Sequence, residues 1–493
     1  MTDQQPLDTA RHIRYWQRCF RSVLPHHYVS NDSIRLTLGF FIVAGLDLLS
    51  SSSSYSEPPT NPLRSSLITK EDRTRLRDWV LSLQHPQGGF CGSPHHVLPD
   101  EYRSQWDSKT KTESARDPAN ANLAATYFAL LLLGILAEDD GTTAFEGVNR
   151  IKILRWLRSL QRDDGSFGEI IDEDGYVGGG RDMRYCYLAA TIRWVLAGEE
   201  TNEDFNIDTF VAHIRRGQTF DGGLGESSTH ESHAGYAYCA VAALSLLDLA
   251  NPNAATEPNR YLHAGIPSIP SLIHFLACRQ FDYLEPTSDE EDEEIDNHPL
   301  PDLSTLSLSE TGQIAGFNGR LNKVADTCYT WWVSGTLAML GQGGIIDRAP
   351  ARKFILEKTQ HLIGGFAKHP GGPPDVYHAY LGLAALATMA GEDKEEGLGK
   401  FDPRLCIGIE ASQRLAKARE TLLMSSDDIS DDDDLIEKTE QIKKKRNWDA
   451  TQEKFARLSA KWETEGRVPT YELDRWNPRE PPHLDDLKSL RLA

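Results

Sequence analysis

Apolar and polar positions alternate along this chain in two distinct registers. Five segments place apolar residues three and four apart with charges between them: LRDWVLSLQ ending at Gln84, ILRWLRSLQ at Gln161, FVAHIRRGQ at Gln218, LIHFLACRQ at Gln280 and ARKFILEKTQ at Gln360. That spacing predicts helices with one buried stripe, lying on the outside of a larger body. Six other segments are apolar nearly all round: TLGFFIVAGLDLL from Thr37, ATYFALLLLGILA from Ala125, CYLAATIRWVLAG from Cys186, GYAYCAVAALSLLDLA from Gly235, CYTWWVSGTLAML from Cys328 and HAYLGLAALATMAG from His378. A helix without a polar face must be buried on every side. Outer and inner helices alternate along the chain.

A turn signature follows the outer helices. The segments QHPQGGF, QRDDGSF, QTFDGGL and QHLIGGF each run from glutamine through glycine to Phe or Leu, and a fifth copy from Gln280 reaches Gly316 and Phe317 only after an acidic insertion. Glycine permits a tight turn after the helix, and the apolar residue returns to the core. One outer and one inner helix per repeat predicts an all-α fold, an α/α toroid of six hairpins closed on itself. Its inner helices run parallel. Residues at their starts then converge on one rim: Arg35 and Thr37, Asn122 and Thr126, Asp182 and Arg184, Glu231 and His233, Asp326 and Cys328, Asp375 and His378. Helix starts present free amides and a partial positive charge, which favours an anionic ligand there.

Length and charge narrow the picture. The chain has 493 residues, more than one ordinary domain, although a repetitive helical body absorbs such length. The pattern assigns residues 1–415 to the barrel, with an acidic insertion at about 281–310, and 416–493 to a charged, partly disordered extension. A net charge of −21 argues against nucleic acid or an acidic membrane surface as the main partner. Seven scattered cysteines, the absence of a basic-then-apolar start and apolar runs of about a dozen residues lead us to expect a soluble, cytoplasmic protein without stable membrane insertion.

The densest chemistry lies in GFNGRLNKVADTCYTWW, residues 316–332, which holds Arg320, Lys323, Asp326, Cys328 and Tyr329. A carboxylate and a thiol two residues apart can share one metal ion where a loop enters a helix, and the two cations suit an anion beside it. An Asp that only caps the helix and a Cys that only packs give the same pattern, and the stretch by itself leaves both readings open. His378 at another helix start can add a nitrogen donor to the oxygen and sulfur, the mixed set of a catalytic zinc site, or serve as an ordinary hydrogen-bonded polar residue; position alone leaves both open. Arg184, Arg320, Lys323 and His233 can neutralise a phosphate or form ordinary ion pairs with Asp182 and Glu231. Phe40, Phe41, Tyr127, Tyr185, Tyr236, Trp331 and Trp332 suit either an apolar tunnel or plain core.

The stretches GRxNKxxDxCYxxW at 319, ESHxGxxYC at 231, DMRYCY at 182 and DVYHAYLGL at 375 resemble the β subunits of protein prenyltransferases, from about Arg14 to about Leu415. The resemblance implies one zinc ion on Asp326, Cys328 and His378, and an isoprenoid diphosphate held by Arg184, His233, Arg320, Lys323 and Tyr329. It implies a heterodimer with a helical α subunit, and transfer of the lipid to the cysteine of a C-terminal CaaX motif. Thr37 stands where farnesyl members carry tryptophan, and Lys368 where they carry a magnesium-binding aspartate. Both match the type I geranylgeranyl members, which implies geranylgeranyl diphosphate as donor, no magnesium requirement, and CaaX substrates ending in Leu or Phe, such as Rho- and Rac-like GTPases. Thr37 and Phe41 would line the lipid tunnel, with Asn122, Ala124 and Tyr185 around the terminal CaaX residue. Asn122 departs from the type I pattern, which has histidine there, and Tyr377 is closer to the farnesyl pattern. A farnesyltransferase β subunit and a catalytically inactive toroidal scaffold are the competing readings. A terpene cyclase needs an aspartate-rich barrel helix, whereas the aspartates at 431–434 lie in the tail; the GCGEQ signature of thioester toroids is absent.

Overall fold

The computed structural model describes residues 6–50, 67–93, 120–138, 140–171, 175–283, 314–391, 395 and 397–424. The chain divides into one unit over Met1–Asp427 and a second over Asp428–Ala493, and the second lies outside the described residues, as does the core of the acidic insertion. In chain order the helices are α1 (Thr9–Arg21), α2 (Arg35–Ser50), α3 (Lys70–Ser82), α4 (Leu123–Leu136), α5 (Arg150–Ser159), α6 (Met183–Val195), α7 (Ile207–Arg215), α8 (Ala234–Leu249), α9 (Arg260–Gly265), α10 (Ile269–Ala277), α11 (Thr327–Met339), α12 (Arg348–Lys353), α13 (Val376–Ala390) and α14 (Ile409–Met424). The inner helices α2, α4, α6, α8, α11 and α13 pack each on the next, and α13 returns to α2. The ring of six is closed, as the alternation of apolar patterns predicts.

The repeated glutamines explain how successive hairpins are joined. Gln161 donates its amide to the Asn206 carbonyl at 2.8 Å and accepts the Asn206 N–H at 2.8 Å, fastening the end of α5 to the residue that caps α7. Gln218 does the same to Ser268 at 2.9 and 2.8 Å, and Gln280 to Asp347 at 2.8 and 3.0 Å. Gln84 accepts from Asn149 N–H at 2.7 Å and donates to Gly147. Each glutamine also pairs with its apolar partner across the turn: Gln84 with Phe90, Gln161 with Phe167, Gln218 with Leu224, Gln360 with Phe366, and Gln280 with Phe317 despite the insertion. Gly165 shows why the turn needs glycine. Its φ is +85°, and a Cβ there would fall 1.9 Å from the Thr209 carbonyl oxygen of α7.

The sixth outer helix has no glutamine signature and is α1. Gln360 closes the ring onto it, its side-chain oxygen 3.0 Å from His12 Nε2, while His12 Nδ1 accepts the Gly365 N–H at 3.2 Å. These contacts fix the tautomer, since a ring nitrogen that accepts carries no proton. Burial lowers the His12 pKa from 6.5 to about 4.

A second set of ties holds the inner helices level. The second amide of α2, that of Leu36, donates to Gly92 O at 3.0 Å, and the first amide of α4 donates to Glu169 O at 2.9 Å, that of α6 to Glu226 O at 3.0 Å, that of α8 to Gly319 O at 2.9 Å and that of α11 to Lys368 O at 3.0 Å. Every acceptor lies in the turn of the following hairpin. For α13, the Tyr28 hydroxyl accepts from Val376 N–H at 3.1 Å. At the other end α14 crosses the helix C-termini, where Arg414 donates to the Gly134 and Ile135 carbonyls of α4 and Arg419 to Trp194 O of α6. Tyr238, Tyr187 and Tyr380 donate to the carbonyls of Pro403, Arg404 and Cys406, so residues 401–408 stop the barrel below its tyrosines.

Three expectations change. The last outer segment is α-helical only to Lys353 and continues as a π-helical turn over Phe354–Thr359, which buries Phe354, Ile355 and Leu356 in succession. Helix α14 runs through the boundary drawn at 415 and ends at Met424. The helix that carries the apolar run near the start is longer than the dozen residues of the run itself. A helical turn over His26–Ile34 leads directly into α2, so Ser30–Ser50 is long and apolar enough to cross a membrane; its apolar window is nevertheless 61% buried as a wall of the barrel.

Two measurements check this account. Gly165→Ala is expected to lose about 3 kcal/mol or more of stability in urea denaturation, because the new methyl meets backbone rather than a movable side chain. His12 is harder to protonate folded than unfolded, so its contribution is complete above about pH 6.5 and is lost as pH falls toward 4. His12→Gln is expected to flatten that part of the stability-against-pH curve, and an unchanged curve would remove His12 as its source.

Candidate active site

The N-cap residues of the inner helices build the mouth. Asn122, Asp182, His233, Asp326 and Asp375 each accept a backbone N–H from the first turn of α4, α6, α8, α11 and α13. Capping requires short polar side chains there, and the closed ring brings those side chains to one end.

Asp326, Cys328 and His378 meet at this end, one donor atom of each lying within 4.8 Å of the others. The simple cap is real, since Asp326 Oδ1 accepts from Cys328 N–H at 2.7 Å, and His378 Nε2 then stands 3.5 Å from the same oxygen. His378 is aimed by a neighbour. Its Nδ1–H donates to Asp375 Oδ2 at 2.6 Å, which leaves the lone pair of Nε2 facing Asp326 and Cys328. Burial would raise the Asp375 carboxyl, but its hydrogen bonds from the His378 ring and from the His378 and Tyr377 N–H groups hold it below the usual range. Burial, then the neighbouring Asp326 carboxylate, push the Cys328 thiol well above its ordinary pKa. A buried oxygen, sulfur and imidazole nitrogen so placed are a donor set that a metal ion fits. Lys368 is exposed, close enough for its charge to act on Cys328, and its carbonyl caps α11.

The anion-binding candidates gather beside the cluster. His233 takes the Gly235 N–H on Nδ1 and therefore donates from Nε2 to the Tyr329 hydroxyl at 3.0 Å. Burial and the charge of Arg320 lower its pKa to about 4, with Arg184 acting in the same direction, so it is neutral at pH 7. Arg184 is paired with Asp182 at 2.5 Å and Arg320 with Glu231 at 3.0 Å, the ion pairs that were the alternative to phosphate binding. The pairing does not bury the cations: the Arg184 side chain is 64% exposed and that of Asp182 5%. Lys323 enters through its main chain, its carbonyl accepting from the Asn318 amide at 2.9 Å.

The proposed lumen residues separate into two groups. Phe40, Tyr127 and Trp331 are buried core, as is Thr126, whose hydroxyl serves Phe90 N–H and Asn122 O. Thr37, Ala124, Tyr185, Tyr236 and Trp332 remain half-buried near the helix starts. Phe128 and Leu188, which sequence reasoning passed over, are half-buried within two turns of the mouth. An aromatic wall links cluster to lumen, with His378 against Tyr377 at 4.9 Å, Tyr377 against Phe41 at 5.5 Å and Phe41 against Phe128 at 5.6 Å. Asn122 is buried, and its side-chain oxygen caps α4 through Ala125 N–H at 2.7 Å. Tyr185 donates its hydroxyl to Glu169 at 3.1 Å.

The model of the prenyltransferase alpha-alpha toroid domain matches residues 7–407, most of the chain. The chain belongs to the prenyltransferase alpha-alpha toroid family. Within this family it is 28% identical to the geranylgeranyl transferase type-1 subunit beta of Arabidopsis thaliana, over 82% of this chain and 89% of that one. It is also 28% identical to the Dictyostelium discoideum protein of the same name, over 76% and 88%. The farnesyltransferase subunit beta of Pyricularia oryzae matches at 25%, over 78% of this chain and 63% of that one. Among solved structures, Candida albicans protein geranylgeranyltransferase-I complexed with GGPP matches with a TM-score of 0.62 and 26% identity, over 84% of this chain and all of that one.

If Asp375 aims His378 at a metal, Asp375→Ala is expected to weaken divalent metal binding about 10–100-fold in competition with a chromophoric chelator. Equal retention by variant and wild type would reduce Asp375 to a helix cap.

Proposed function

We propose that this chain is the β, catalytic subunit of a type I protein geranylgeranyltransferase, working in the cytoplasm as a heterodimer with an α subunit. Its substrates are geranylgeranyl diphosphate and proteins ending in CaaX with Leu or Phe last. One observation carries the reading: three unlike metal donors lie at the start of α11 and α13, beside a neutral histidine and two arginines that reach solvent, at the head of an aromatic wall. The likeness to type-1 β subunits named above points to the same donor lipid.

The donor set of Asp326, Cys328 and His378 suits zinc better than the all-oxygen preference of magnesium or calcium. Bound there, zinc would supply Lewis acidity that keeps the substrate cysteine as thiolate. The rest falls to side chains of this chain. Asp375 holds the His378 ring, and the first turns of α11 and α13 hold the three donors in register. Arg184, Arg320 and Lys323, with the Tyr329 hydroxyl and His233, bind the diphosphate, and the Lys368 ammonium adds a further cation beside Cys328. The thiol loses its proton, its sulfur bonds to the first carbon of the isoprenoid, and the carbon–oxygen bond to diphosphate breaks. Charge gathering on that leaving group is offset by cations already in place. Lumen aromatics receive the lipid and exclude water from the reacting carbon.

The farnesyl reading has Tyr377 and the Pyricularia oryzae relative in its favour. Thr37 argues against it. It sits one turn above Phe41 on the same face of α2, where threonine takes far less room than tryptophan would. The test compares geranylgeranyl with farnesyl diphosphate as donor to a CaaX peptide ending in Leu, using the chain assembled with its α subunit. The larger donor is expected to be preferred by kcat/KM, and Thr37→Trp to shift preference toward farnesyl by at least tenfold. Turnover with neither donor would overturn the enzymatic reading.

A further inference from the structure

Beneath the loop that carries Arg320 and Lys323 lies a buried cation that the chemistry above does not use. Arg279 follows the end of α10 by two residues, is 5% exposed, and stacks its guanidinium over Phe275 with 4.8 Å to the ring centre. Its Nε donates to the Phe275 carbonyl at 3.3 Å, while its Nη1 is buried and meets no acceptor among the described residues. Burial lowers its pKa, partly countered by the charges of Cys278 and Asp221. Asn318 stands next to it, its N–H donating to the Arg279 carbonyl at 3.2 Å. Asn318 is 8% exposed, and its Oδ1 is likewise buried with no donor among the described residues.

The two unmatched atoms are complementary, one a donor and one an acceptor, on residues already joined through their backbones. Leaving either alone costs about 1–3 kcal/mol, and a bond between them, direct or through one water, would remove both costs. The other end of the Asn318 amide fixes the loop. Its Nδ2 donates to Lys323 O at 2.9 Å, closing the loop 318–323 across its base, and Gly319 O within that loop accepts the first amide of α8, directly after His233. Asp221 extends the network from below, since it accepts the hydroxyl of Ser232, the neighbour of His233, at 2.5 Å and its charge reaches Arg279.

We propose that Arg279, acting through Asn318, is a positioning residue for the anion-binding loop. It orients the Asn318 amide, and the amide holds Arg320 and Lys323 at the mouth in the arrangement a diphosphate needs. This inference rests on the function proposed above and concerns the diphosphate end of the lipid, not the metal donors or the lumen.

The experiment uses the assembled enzyme. Arg279→Leu keeps the packing on Phe275 and removes the donor; Arg279→Lys restores the charge; Asn318→Ala removes the amide. Arg279→Leu and Asn318→Ala are each expected to raise the KM for geranylgeranyl diphosphate and the inhibition constant of inorganic pyrophosphate about tenfold, with the KM of the CaaX peptide changed less than twofold. Arg279→Lys is expected to recover part of the loss. The double variant is expected to be no weaker than the worse single one, because the two residues act as one unit. Pyrophosphate inhibition equal to wild type in a folded Arg279→Leu enzyme would overturn the proposal, as would parallel losses toward both substrates. If Arg279→Leu does not fold, Asn318→Ala decides by the same criteria. A wild-type enzyme that takes no isoprenoid diphosphate at all refutes the functional reading instead, so the two failures are distinguishable.

Discussion

The mouth of this barrel depends on where an amide in the first turn of each inner helix finds its acceptor. A helix start leaves backbone N–H groups without partners inside the helix, and burial makes an unmatched one costly. Here the solution lies outside the helix, in the carbonyl of the following hairpin's turn, repeated from Leu36 to Thr327 and replaced at the seam by the Tyr28 hydroxyl. Because each tie crosses from one repeat to the next, no inner helix can slide along its axis without breaking a bond to its neighbour. All six starts are therefore held level. A cluster of three candidate metal donors drawn from α11 and α13 requires that of the fold.

The glutamine clamps do the same for the outer layer, and together the two sets explain why the turn is so regular. Gln161 must reach the cap of α7, Gly165 must let the turn approach the α7 backbone, and Phe167 must bring the chain back inward before Glu169 presents its carbonyl to α4. Four functions lie within nine residues, which leaves little freedom in spacing. The insertion after Gln280 respects this. It enters after the strand over Gln280–Asp282 and rejoins at the strand over Ala315–Phe317, so Gln280 still faces Phe317 and still clamps Asp347.

That regularity is why the fold was largely legible in the sequence. Alternating amphipathic and all-apolar helices carry the architecture, and Asp326, Cys328 and Arg320 announce themselves by local spacing. Other parts were hidden for physical reasons. An inner helix that is apolar all round has no polar face to mark its lumen side, so Phe40 and Trp331 looked as suitable as Trp332, while Phe128 and Leu188 were passed over. The part played by α1 was invisible because its partner Gln360 lies at the opposite end of the chain. Asp375 read only as a helix start, and its grip on His378 emerges from the turn of helix that brings the carboxylate under the ring. Asn122, Asp182 and Asp326 carry a further ambiguity, since capping and ligand chemistry use the same short polar side chains.

Electrostatics at the mouth follow from which partner of each ion pair is buried. Asp182 is fixed as the cap of α6 and is buried, whereas the Arg184 guanidinium reaches toward water. The carboxylate therefore aims the cation without hiding it. Glu231 and Arg320 form a more exposed pair in which the arginine remains accessible. A chain with a net charge of −21 thus keeps two accessible guanidinium groups at one end of its barrel, each balanced by a carboxylate. His233 adds no titrating charge near pH 7, because burial and the arginines keep it neutral and its remaining proton points at Tyr329. An anion at this mouth meets fixed cations and oriented neutral donors, so little has to be desolvated or reorganised when charge shifts onto it.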